Sequence, residues 1–284
     1  MVLDRTDADV GHGLNVWGRT FAGAGSNDGG HDRDSRDFSQ RFAGVVFGTD
    51  YVDENHISYG MTFAYHQASL GVSQETEYGD ALTNSYAFAV KASAPFLAGG
   101  HFGGDVFYMV NDTQVRRQAS TTGPISHPDG KNYGAALQAD YSFGDLTPQI
   151  RIGYVHASRD GTTETNIGSP IVVASRGYDS FRTDIAVRYR HDFDLEDDMV
   201  LSPEVTIGAE GELMSSGRTS RVRLETGSNW VVPDYAKPNA AAFLFGLDTS
   251  LRVGSQTAFY IKADGRSGNR SREGVLSIGG RYTF

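Results

Sequence analysis

Charge recurs at every second residue along parts of this chain, most densely at Arg182, Asp184, Arg188, Arg190 and Asp192, with Phe181, Thr183, Ile185, Val187 and Tyr189 in between. In an extended chain alternate side chains share a face, so one face is ionic and its reverse apolar. Unpaired charge cannot be packed away from water, so the ionic face is no core. It is either a hydrated surface along which a polar polymer can pass, or a wall of cross-strand ion pairs. The same parity assigns Asp50, Lys91, Asp140, Arg151, Arg182, Asp184, Arg188, Arg190, Glu204, Glu210, Asp248, Arg252, Lys262, Asp264 and Arg281 to this face. Other chemistry is thinner. Ser126–His127 and Ser69 with His66 are the Ser/His neighbours near loops, and no Gly-x-Ser-x-Gly elbow accompanies them. Residues 27–37 are rich in carboxylates but lack the Asp-x-Asp-x-Asp-Gly spacing of a calcium loop and contain Arg33 and Arg36. The histidines are scattered, with no His-x-x-x-His pair, and there is no cysteine, so no metal site, cofactor or disulfide is expected. A net charge of −10 without a basic block argues against a nucleic-acid partner.

The elements that carry this face are strands. From Ile57 the odd positions read Ile57, Tyr59, Met61, Phe63, Tyr65 and the even ones Ser58, Gly60, Thr62, Ala64, His66; the split recurs over 133–143 and 181–193. Twelve such segments can be counted, centred near Trp17, Val46, Phe63, Phe88, Val106, Leu137, Ile152, Val187, Val205, Phe245, Ile261 and Ile278. The fifth is the least clean, because Phe107 and Met109 fall on its polar side. Gaps after even-numbered segments are tight, at 53–55, 97–100, 144–147, 194–198 and 254–256. Gaps after odd-numbered segments are long, over 25–37, 69–81, 117–130, 161–178 and 213–238, except the short last one at 268–272. In the longest, residues 219–225 and 230–232 around a 226–229 turn read as a β-hairpin over the pore or as a plain surface loop.

Short turns on one rim, long loops on the other and about ten alternating residues per segment describe a transmembrane antiparallel β-barrel, most simply with twelve strands, periplasmic turns and extracellular loops. A soluble sandwich would place its polar faces outside and its apolar faces inside; here the ionic face is the lumen and the aromatic face meets lipid. The 35 glycines among 284 residues fit this shape. Gly18, Gly23, Gly44, Gly48, Gly60, Gly134, Gly153, Gly208, Gly246 and Gly279 lie inside segments, most of them on the inward side, where a sheet must bend or another chain must come close.

Val16-Trp17-Gly18-Arg19-Thr20-Phe21-Ala22-Gly23 and Gly44-Val45-Val46-Phe47-Gly48-Thr49-Asp50 resemble the first two strands of the autotransporter (type V secretion) translocator domain. Phe245-Gly246-Leu247-Asp248, residues 259–265 and Gly279-Gly280-Arg281-Tyr282-Thr283-Phe284 resemble its last three. Leu276, Ile278, Gly280, Tyr282 and the terminal Phe284 alternate like the signal read by the outer-membrane barrel assembly machinery. The resemblance implies a monomeric barrel, residues 13–284, in the outer membrane of a Gram-negative bacterium, surrounded by its lipid. It further implies that residues 1–12 are the end of a linker from an N-terminal passenger, which the barrel anchors and helps to export, and that the chain is no enzyme. The alternatives are a free-standing porin or adhesin barrel and, third, an outer-membrane protease or lipase.

Overall fold

A computed structural model describes residues 12–27, 37–74, 77–117, 123–217, 221–225, 230 and 241–284. Twelve long strands form its wall: β1 (Gly13–Asn27), β2 (Phe38–Val52), β3 (Ser58–Gln74), β4 (Glu77–Phe96), β5 (Gly100–Arg117), β6 (Gly130–Tyr141), β7 (Leu146–Arg159), β8 (Arg176–Arg190), β9 (Met199–Ser216), β10 (Ala241–Val253), β11 (Thr257–Gly268) and β12 (Ser271–Thr283). Each pairs antiparallel with its sequence neighbours, and β1 pairs with β12 from Asn15↔Thr283 to Asn27↔Ser271, so the sheet closes and leaves no edge among these strands. All twelve segment centres read from the sequence fall inside these strands.

Closure is sealed at the turn rim by side chains. Asn15, fully buried, accepts a 2.6 Å hydrogen bond from Thr283 Oγ1 and donates to the Asp50 carbonyl. Gly13 begins the wall with φ +116, and a Cβ there would sit 2.8 Å from the Phe284 carbonyl oxygen, so a side chain at this position would pry the last strand away.

The burial pattern is inverted relative to a soluble protein. Outward Ile185 and Leu276 are each 59% exposed, whereas inward Thr62 and Ala186 are 4% and 5% exposed. Strand after strand shows apolar side chains to the surroundings and small or polar ones inside, as expected where lipid is the outer solvent. Toward the loop rim Tyr65, Tyr86, Tyr108, Tyr133 and Tyr154 face outward on β3 to β7; Tyr51, Tyr59, Tyr189 and Tyr282 do so toward the turn rim.

The loops differ from the sequence reading in two places. Residues 69–81, read as a loop, are mostly strand: β3 and β4 stay paired as far as Gln74↔Glu77. Above the lipid an outward apolar face is no longer required, so alternation fades while the backbone ladder continues. The proposed hairpin within 213–238 is also rearranged. Val222–Leu224 pairs with Ile171–Val173 of the loop between β7 and β8, which in turn pairs with Thr162–Thr163; the expected second arm at 231–232 lies outside the described residues. Glu164, buried at the base of this small sheet, takes a bidentate ion pair from Arg117 at 2.8 and 3.0 Å and a hydrogen bond from the Ile171 amide. Three loops are thereby tied together.

Candidate functional site in the barrel interior

On β1 to β5 the inner wall is mainly aromatic and apolar, with Arg19, Asp50, Lys91 and Asp105 as charged members. Val46, Ala64, Ala87 and Met109 stand opposite one another in one row across β2 to β5, and Trp17 and Phe21 of β1 pack onto them. The rings lie over glycines directly opposite on the next strand: Trp17 over Gly48, Phe21 over Gly44, Phe42 over Gly23 and Phe107 over Gly134. An added Cβ at Gly48 would meet Trp17 Cζ2 at 2.5 Å, and one at Gly134 would meet Phe107 Cε1 at 2.7 Å. This accounts for the untidy fifth segment. Phe107 and Met109 do face inward, and they are apolar because they complete this patch.

From β7 to β12 the inner wall is ionic. Arg151 reaches Asp105 at 3.1 Å, Arg188 reaches Glu204 at 3.4 Å, and Lys262 reaches Asp264 at 3.6 Å. Glu210 lies between Arg182 at 3.4 Å and Arg266, which approaches from β11. Arg281 makes neither an ion pair nor a hydrogen bond among the described residues and lines the cavity. The aromatic half holds an ion pair of its own: Lys91 of β4 pairs with Asp50 of β2 at 3.1 Å and lies 5.2 Å from the Trp17 ring centre. That bridge crosses β3 above Gly60, where a Cβ would stand 2.0 Å from Asp50 Oδ1. At the turn rim burial opposes ionisation of Asp192. Hydrogen bonds from Ser202 and Arg190 and the charges of Arg190 and Arg252 outweigh it, so the carboxyl is held below its ordinary value.

All the charged residues selected from the sequence line one continuous cavity except Asp140, which sits on the same inward parity near the turn rim, 3.7 Å from His101. Parity also puts Arg19, Asp105, Arg266 and Glu273 inside; sequence reading missed them because the first and fifth segments look aromatic and the other two flank a short loop. The hydroxyl and imidazole candidates are not brought together. Ser69 faces outward and His66 inward, and Ser126 is buried in a short pairing with Val115 of β5. Most of the carboxylate-rich stretch 27–37 lies outside the described residues, and among those described no cluster of three potential metal ligands occurs. Leu276, Ile278, Gly280 and Tyr282 occupy the outward face of β12, with Phe284 beyond it packed edge-on against Tyr282 at 4.8 Å.

The family model "Autotransporter beta-domain" matches residues 16–264. A search of curated proteins finds no match. Among solved structures, the translocator domain of autotransporter NalP from Neisseria meningitidis is similar with a TM-score of 0.77 at 16% identity, over 96% of this chain and 89% of that one. The β domain of the Bordetella autotransporter BrkA gives 0.67 at 16% identity, over 96% and 100%. The transport unit of AIDA-I from Escherichia coli gives 0.64 at 11% identity, over 100% and 93%. At such identities these structures speak for the fold, and the family match speaks for kinship. With most of its length matched and its strands closed around a lined interior, the chain belongs to the autotransporter β-domain family and is an outer-membrane translocator barrel.

Proposed function

We propose that this barrel, residues 13–284, anchors an N-terminal passenger in the outer membrane of a Gram-negative bacterium and gives it a hydrated route to the cell surface, residues 1–12 being the end of the linker. The observation that carries this reading is the ionic inner wall from β7 to β12, with Arg281 left without a partner among the described residues. Paired charges hold the wall open to water, and the unpaired guanidinium offers a weak, exchangeable contact to a polypeptide in transit. The loop rim is extracellular and the turn rim periplasmic. The outward face of β12, Leu276 to Phe284, is the part read by the barrel assembly machinery. The barrel works as a monomer and does no catalysis.

The test places a signal peptide and a folded reporter ahead of Met1 and measures protease accessibility of the reporter on intact cells. Surface cleavage together with a barrel that resists heat in detergent is expected. A well-folded barrel whose reporter stays protected contradicts export and leaves the porin reading standing.

A further inference from the structure

The lipid-facing wall is not uniform around the barrel. The tyrosine belt near the loop rim runs over β3 to β7 and does not extend to the rest of the wall, the arc β12–β1–β2 included. There the outward positions are Gly274, Ala24, Ala22 and Ala43, and at their upper edge stand Arg272 and Arg41. Both arginines are exposed, and neither makes an ion pair or hydrogen bond through its side chain among the described residues. Asp179, at the same rim on β8, is engaged: it accepts hydrogen bonds from Tyr154 and Ser216 and contacts His156 Nδ1 at 2.8 Å.

Register brings the two arginines together. Arg272, Ser26 and Ser39 stand opposite one another across β12, β1 and β2, and Arg41 lies two residues below Ser39 on the same face. Two strand spacings separate β12 from β2, about 10 Å, within reach of two long side chains closing on one headgroup. Depth agrees with this. From Arg41 to Tyr51 the outward face of β2, tilted by about 40°, rises about 26 Å at 3.4 Å per residue, close to the height of about 25 Å of the apolar band. Arg41 therefore sits at the level where acyl chains end and phosphates begin. Guanidinium groups bind phosphate through paired hydrogen bonds, and the two serine hydroxyls between them can donate as well. Asp37, two residues beyond Ser39, already has a partner.

We propose that the outward face of the β12–β1–β2 arc seats an outer-leaflet lipid with a phosphorylated headgroup, gripped by Arg41 and Arg272. The inference rests on the outer-membrane placement with the loop rim outside. Its acyl chains run down past Ala24, Ala22 and Gly274, where no ring projects.

The test is native mass spectrometry of the refolded barrel in neutral detergent, titrated with lipid A, with dephosphorylated lipid A and with inorganic phosphate. Wild type is expected to retain lipid A about tenfold better than the dephosphorylated form, and the Arg41→Gln/Arg272→Gln variant to lose about that factor. Lys131→Gln, an outward cation inside the tyrosine belt, is expected to change retention by less than about twofold. Equal retention by wild type and the double variant overturns the proposal, and so does displacement of lipid A by inorganic phosphate at equal concentration, which would mark a free-anion site. Should the double variant not fold, raised salt on wild type gives the same reading: release supports the site and undiminished retention overturns it. Failure of wild type to insert into vesicles would count against the membrane placement instead.

Discussion

The two sides of the lumen hold the same kind of wall in different ways. On β1 to β5, aromatic rings lie across glycines of the neighbouring strand, and stability comes from apolar area and close fit. On β7 to β12, the wall is faced with Arg, Lys, Asp and Glu joined across strands, and the desolvation of each largely buried pair offsets much of its attraction. The difference suggests a division of labour. The aromatic side supports the arc next to the seam, where β1 must find β12. The ionic side keeps a polar surface toward the lumen, its charges paired across strands while Arg281 stays without a partner among the described residues.

Several substitutions can break or sharpen this contrast, and urea midpoints of the refolded barrel in detergent would read all of them. The largest effect should come from Trp17→Ala, which uncovers Gly48 and removes a buried ring, and should cost about 3–5 kcal/mol. Next is crossing the wall. Val187→Arg puts a cation at mid-depth in lipid and should cost about 2–4 kcal/mol, whereas its neighbour Arg188→Leu on the inward face should still fold. Gly44→Ala is smaller, about 1–3 kcal/mol, since its Cβ would meet the Tyr65 carbonyl at 2.4 Å and Phe21 Cζ at 2.7 Å. The ionic side should yield least: a double-mutant cycle on Arg188 and Glu204 should give a coupling below about 1 kcal/mol. A coupling larger than the loss from Trp17→Ala would reverse the assignment of stability to the aromatic side.

Much of this architecture is legible in the sequence because a membrane barrel writes both of its solvents into a two-residue period. Tyr59, Met61, Phe63 and Tyr65 announce lipid, and Ser58, Thr62 and Ala64 announce the interior. Parity does not reveal partners. That Trp17 covers Gly48, or that Asp50 reaches Lys91 above Gly60, depends on cross-strand register, which is set by closure rather than by any local pattern. The limits of the strands are not legible where the lipid stops. Residues 69–74 and 77–81 keep their hydrogen bonds without an apolar face to advertise them, and Val222–Leu224 found its partner in a different loop. Arg41 and Arg272 are hidden in the sequence for a related reason, since they share one surface only once β1 has closed the sheet.

The central claim is that an exported chain runs along the inner wall. Photo-reactive residues placed at Arg281 and Arg188, inward, and at Ile278 and Val187, outward, can be illuminated while a passenger is stalled in transit. The account predicts passenger adducts from the two inward positions and only background from the outward pair. Passengers that reach the surface with no adduct from either inward position would contradict it.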